Sequence, residues 1–175
     1  MDLRLEIMKE HSKEQCNLIV TWVGKSQKRF DELFALFLSG EKLIAQRAAW
    51  PVSYSLEAHP LLLQKHFNHL LKYLQMPGLH DAIKRNGVRA LQFVNIPHKH
   101  QGGVMNCCFT FLMDAKEAVA IKVYSMYVLA KLAKAYPEII PELIYVINDQ
   151  KQRQTPAFIS CANKILKQFA SKEIK

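Results

Sequence analysis

Three basic residues recur at nearly equal spacing: Arg47, Arg85 and Lys122 stand 38 and 37 positions apart. Trp50 follows Arg47 by about one helical turn, and Arg89 follows Arg85 by another. Cationic groups on one surface beside an aromatic ring suit an acidic peptide or a phosphate backbone. The same positions admit a structural use, in which each cation pairs with an acid in the turn of a neighbouring unit.

Other side chains capable of chemistry are scattered. His66 and His69 sit three apart with His59 nearby, but no Asp or Glu falls in the same segment to serve as base or third ligand. One of the two is expected to be a partly buried polar residue and the other solvated. His98 and His100 flank Lys99 ahead of Gly102-Gly103, which suits a flexible surface loop, and no phosphate-loop pattern follows. The adjacent pair Cys107-Cys108 has apolar neighbours and no cation to depress a thiol pKa, as expected of reduced core cysteines. Gly-x-Ser-x-Gly, His-Glu-x-x-His and Cys-x-x-Cys are all missing. No catalytic residue, metal site or cofactor is expected, and the chain leans away from enzymes.

These residues need helices to position them. The 175 residues, half of them apolar and 22% charged, can bury one core, so a single domain over 1–175 is expected. Six glycines and seven prolines are too few for the turns of an all-β fold. Ser12 with Gln15 forms a capping box ahead of Cys16, Ile19, Val20 and Val23, and Gly24 closes that segment. Ser26 opens the next, with an apolar face from Phe30 to Leu38 and a stop at Gly40. A longer helix from Glu41 kinks at Pro51 and ends at His59-Pro60. Beyond Met76-Pro77-Gly78 comes a basic helix from about Leu79 to Val94, then the chief loop at 95–103. Lys116 to Tyr136 is apolar on nearly every side apart from a narrow polar strip, Lys122 and Ser125, and such a helix is buried among others. A last helix starts near Thr155.

A short helix, a polar or acidic turn and a second helix thus recur every 37–38 residues. Asp114 with Ile121-Lys122, Asp81 with Arg85, and Glu41 with Arg47 place a turn acid before a basic residue early in the second helix. Over roughly residues 26 to 171 this pattern resembles the HEAT and armadillo class of α-helical repeats. The chain is also similar to a group of short bacterial helical-repeat proteins, some labelled adenylosuccinate lyase. The Ser-rich signature loop of that lyase family, ending in Met-Pro-x-Lys-x-Asn, is not in the sequence. The resemblance implies an all-α, right-handed α-α superhelix of about four HEAT-like helix pairs and carries no catalytic residues.

The formal charge of +9 is unevenly placed. Residues 1–80 hold ten Lys/Arg against eight Asp/Glu, whereas residues 81–175 hold fourteen against seven. No run approaches the ~20 apolar residues of a membrane span, and the first residues lack the apolar stretch of a secretion signal. A cytoplasmic location with no membrane partner is expected. The leading expectation is a non-catalytic interaction module that binds an acidic protein or peptide on its second helices through Arg47, Trp50, Arg85, Arg89 and Lys122. The alternative is a nucleic-acid-binding protein resembling the HEAT-like DNA alkylation-repair glycosylases.

Overall fold

A computed structural model describes residues 1–170, and among these the regular elements are all helical. Local signals set the first boundaries. Asp2 opens α1 (Leu3–Lys9), its carboxylate accepting the Leu5 amide at 3.1 Å. Ser12 opens α2 (Lys13–Val23), its hydroxyl accepting the Gln15 amide at 3.0 Å. The capping box is only half realised. Gln15 does not reach back to the Ser12 amide; its amide nitrogen donates to the Glu6 carbonyl and carboxylate, both at 2.7 Å, and so ties α2 to α1. Ser26 caps α3 (Gln27–Phe37). The stops at Gly24 and Gly40 use φ values of 49° and 75°, which side chains other than glycine rarely adopt.

The chain divides into two compact units at Ile96/Pro97. In the first, α4 (Lys42–Ala58) is the element everything else packs on: α1, α2, α3, the 3₁₀ segment Pro60–His66 and α6 (Asp81–Leu91) all touch it. Its buried face is built of Ile44, Ala45, Ala48, Ala49, Val52 and Leu56. The helix runs unbroken across Pro51, which is buried, and ends at His59, so the segment is one helix rather than two. Proline at that point removes one backbone hydrogen bond, a loss of ~3 kcal/mol in an isolated helix that packing on several sides can offset. Phe30, Leu33, Phe34 and Phe37 of α3 fill the space on one side of this core. α5 (Phe67–Leu74) leads to α6. The second helices α2, α4 and α6 stack in that order.

In the second unit, α7 (His98–Met113) packs on α8 (Val119–Leu132), and α9 (Ile140–Lys151) precedes α10 (Pro156–Ala170). Here too the second helices, α8 and α10, lie against each other. The α1/α2 hairpin adds a pair ahead of the three that the basic residues Arg47, Arg85 and Lys122 mark. The loop expected at 95–103 is corrected: the break is confined to the residues before His98, and His98, Lys99, His100 and both glycines lie in the first turns of α7. Pro97 supplies the N-terminal boundary, and the buried Val104, Cys107, Cys108, Phe111 and Leu112 anchor the helix behind it. No described helix is long and apolar enough to cross a membrane.

This correction can be measured. Gly102 is exposed, and a Cβ added there would meet nothing within 4 Å. In a helix, Gly102→Ala should stabilise by about 1 kcal/mol, raising Tm by roughly 2–4 °C. An unchanged melting curve would return the segment to a loop.

Candidate binding face

The spacing 47, 50, 54 and 57 lines one stripe of α4 with Arg47, Trp50, Tyr54 and Glu57. Arg47 donates to the Met8 carbonyl at 2.7 Å, with the Ile7 carbonyl at 3.5 Å. These belong to the last turn of α1, whose carbonyls have no partner within their own helix. Trp50 is half-buried, its ring 5.4 Å edge-on from His11 and 6.0 Å from Tyr54. Arg89 reaches across from α6 to complete the stripe. It donates to Ser53 Oγ at 3.0 Å and pairs with Glu57 Oε2 at 2.5 Å. Its guanidinium carbon lies 4.4 Å from the Tyr54 ring centre and 4.9 Å from that of Phe93. A cation between two rings with a carboxylate at its edge combines cation–π attraction with a charge-assisted hydrogen bond.

His11, Trp50, Tyr54, Arg89 and Phe93 therefore form a continuous, partly exposed ladder within the first unit. Arg85, one turn from Arg89 on α6, is exposed and makes no hydrogen bond or ion pair among the described residues. Four of the five residues expected at the binding surface thus fall on two packed helices. Lys122 stands elsewhere, on α8 of the second unit, where it is 1% exposed with its ammonium donating to Gln150 Oε1 at 2.9 Å. The polar strip it forms with Ser125 is buried with the rest of the helix. The turn acids have other partners. Glu41 pairs with Arg4 at 2.5 Å, Asp81 with Lys84 at 3.4 Å, and Asp114 accepts the Lys116 amide at 2.9 Å. Tyr54, Glu57 and Phe93 escaped sequence reasoning. The step of four from Trp50 to Tyr54 and from Arg89 to Phe93 was the available signal.

The other candidates settle as structural groups. His66 is partly buried, stacked on Phe34 with ring centres 4.7 Å apart, and its Nε2 lies 2.6 Å from Asp31; His69 is exposed. Asp31 also accepts from Lys65 at 2.5 Å and Gln27 at 2.9 Å. Partial burial opposes the Asp31 charge, but these hydrogen bonds prevail and hold its carboxyl at about 2, below the ordinary 3.8. Burial pushes the Cys107 thiol up to about 12 and Cys108 well above its usual range, which disfavours the reactive thiolate. Among the described residues no group of three or more His, Cys, Asp or Glu could hold a metal ion.

Within each unit the second helices pack in sequence, and the chain matches a known family model, the HEAT repeat domain, over residues 3–169. The chain belongs to the HEAT repeat family. No curated protein and no solved structure matches it. The HEAT match begins ahead of α2 and so takes in the α1/α2 hairpin that basic-residue spacing did not mark.

Two outcomes are expected of this HEAT domain. Because Asp31 binds its proton less readily when folded, its contribution to stability is present above about pH 4 and is lost as pH falls towards 2. Melting curves of the wild type should therefore fall more steeply across that window than those of Asp31→Asn. At neutral pH, Arg89→Ala should cost about 2 kcal/mol through the lost clamp on Glu57, Ser53 and Tyr54. Arg85→Ala should change urea stability by less than about 0.5 kcal/mol. Equal losses would mean that Arg85 is a structural residue too.

Proposed function

We propose that this protein is a non-catalytic, cytoplasmic interaction module that binds an acidic, partly apolar peptide segment of a protein partner on the α4–α6 face. The observation that carries the reading is the ring ladder from His11 through Trp50 and Tyr54 to Phe93, with Arg89 held inside it. Partly exposed aromatic and arginine side chains are the residue types that dominate binding energy at protein interfaces. Arg85 supplies a charge with no internal partner and is the group placed to meet an acidic side chain. A HEAT framework suits the role, since stacked repeats present long surfaces while each repeat contacts only its neighbours.

A phosphate backbone is the weaker fit. Nucleic-acid affinity grows with the number of cations free to displace counter-ions. On this face Arg47 is engaged with α1 carbonyls and Arg89 with Glu57, which leaves Arg85. The net charge of +9 favours any anion at long range without selecting one.

An array of 15-residue peptides graded in acidity and apolar content, followed by solution titration of the strongest binders, separates the two. Acidic, Leu- or Phe-containing peptides should bind, with affinity falling at least tenfold in Trp50→Ala and severalfold in Arg85→Ala. The same protein should show only weak, steeply salt-dependent affinity for a 20-base-pair duplex. Tight duplex binding that survives Trp50→Ala and vanishes in Arg85→Ala would overturn the peptide reading in favour of nucleic acid.

A further inference from the structure

The second unit contains a hollow of about 600 Å³ between the α7–α8 turn, α8 and α9, lined by Met113, Lys122, Tyr145, Asp149, Gln150 and Arg153 among others. We propose that it is a second binding site, taking a carboxylate carried on a peptide, with the Lys122 ammonium as counter-ion. It lies outside the α4–α6 face and goes beyond the function proposed for that face.

The floor of the hollow supplies the first reason. Lys122 is 1% exposed, yet its amine is hydrogen-bonded to a neutral amide oxygen rather than to a carboxylate. That oxygen is shared, since Gln154 Nε2 also donates to it at 3.3 Å. The orientation of Gln150 is fixed from its other end, where Nε2 donates to the Leu112 carbonyl, so the side chain cannot turn to offer more. An ammonium carries three donors, and Gln150 accepts one. A buried charge with a single neutral partner is costly, and a carboxylate entering the adjacent space would relieve that cost. Burial lowers the Lys122 pKa, while the charges of Asp114 and Glu117 in the α7–α8 turn act in the opposite sense. The turn carboxylates also accept the backbone amides of Lys116 and Ala118, at 2.9 and 3.1 Å.

The walls supply the second reason. Asp149 and Arg153 form an ion pair at 3.1 Å, so the floor amine is the cation of the lining with no carboxylate in hydrogen-bond contact. Met113 and Tyr145, 52% and 73% exposed, are among the most exposed large apolar side chains of the described chain, and both line the hollow. A single cation beneath an apolar, aromatic rim fits an acidic group flanked by apolar residues. It does not fit a polyphosphate or nucleic-acid backbone, which needs several cations.

The carboxylate can come from an acidic side chain or from a chain terminus, and three peptides distinguish these sources. They are acetyl-Tyr-Leu-Glu-Leu-amide, acetyl-Tyr-Leu-Gln-Leu-amide and acetyl-Tyr-Leu-Gln-Leu with a free carboxyl end. The readout is the titration of Lys122 in the ¹³Cε-lysine-labelled full chain, followed by NMR at low salt. A bound carboxylate should raise its midpoint by about one pH unit, equivalent to a tenfold preference of the peptide for the charged amine. The first or third peptide should produce the shift, according to source, and the neutral peptide should not. Lys122→Met should lose this binding while keeping the fold, because an apolar chain of similar length replaces the buried charge. Tyr145→Ala, at an exposed position, should weaken binding severalfold and serves as the check if Lys122→Met fails to fold. The proposal is overturned if no peptide moves the Lys122 midpoint, if the neutral peptide moves it equally, or if a duplex oligonucleotide moves it more. Loss of binding at Trp50 and Arg85 variants with Lys122 unaffected would bear on the α4–α6 face alone.

Discussion

One helix must be packed from several sides at once, and the rest of the first unit follows from how α4 meets that demand. Ala45, Ala48 and Ala49 are each at most 1% exposed, and such small side chains let neighbouring backbones approach closely. With Val52 and Leu56 they occupy the angles facing α2, α3 and α6. What remains of the helix circumference is a stripe, and the larger and polar residues Arg47, Trp50, Tyr54 and Glu57 have nowhere else to stand. The candidate binding face is thus the complement of the core. Arg89 joins it because α6 packs so closely on α4 that a long side chain from one reaches carboxylate, hydroxyl and ring on the other.

Two basic residues, both on second helices, show how differently a fold can handle a cation. Arg89 has a planar fork that meets Glu57 and Ser53 while its faces stack on Tyr54 and Phe93, so its charge and its surface are both satisfied. Lys122 presents a compact ammonium to one amide oxygen in a buried position. The arginine arrangement is complete in itself and ties α6 to α4. The lysine arrangement leaves hydrogen-bonding capacity beside an open space, and this difference makes the second a better place to look for a ligand than its lack of exposure suggests.

Much of the fold was legible because helix ends are written in single residues. Ser12, Ser26, Gly24 and Gly40 each act where they stand, through one hydroxyl or one left-handed φ. The segment 98–103 was misread because histidines and paired glycines have low helix propensity, and propensity is overridden when a following apolar stretch is buried. Lys122, expected on the second-helix binding surface, lies inside for a related reason. A helix apolar nearly all round has no solvent side on which to place its polar residues, so they are carried inward. Spacing along one helix revealed Arg47 and Trp50. The pairing of Asp31 with His66, or of Arg89 with Glu57, spans 35 and 32 residues and depends on which helices become neighbours, which local periodicity does not encode.

The excess of positive charge should not be read as a count of ligand contacts. A net charge of +9 acts over the whole molecule, speeding encounter with anions and fading with salt. Affinity for a particular anion depends on charges that gain a partner on binding. Arg89 would have to release Glu57 before taking a phosphate, and Arg47 would leave the end of α1 without its donor, so either exchange returns little. Trp50, Tyr54 and Phe93 bear no such cost, because a half-buried ring still has surface to remove from water. On the peptide-binding reading proposed for this face, selectivity would therefore rest with the rings, and the field of the surrounding lysines and arginines would bring an acidic segment to them.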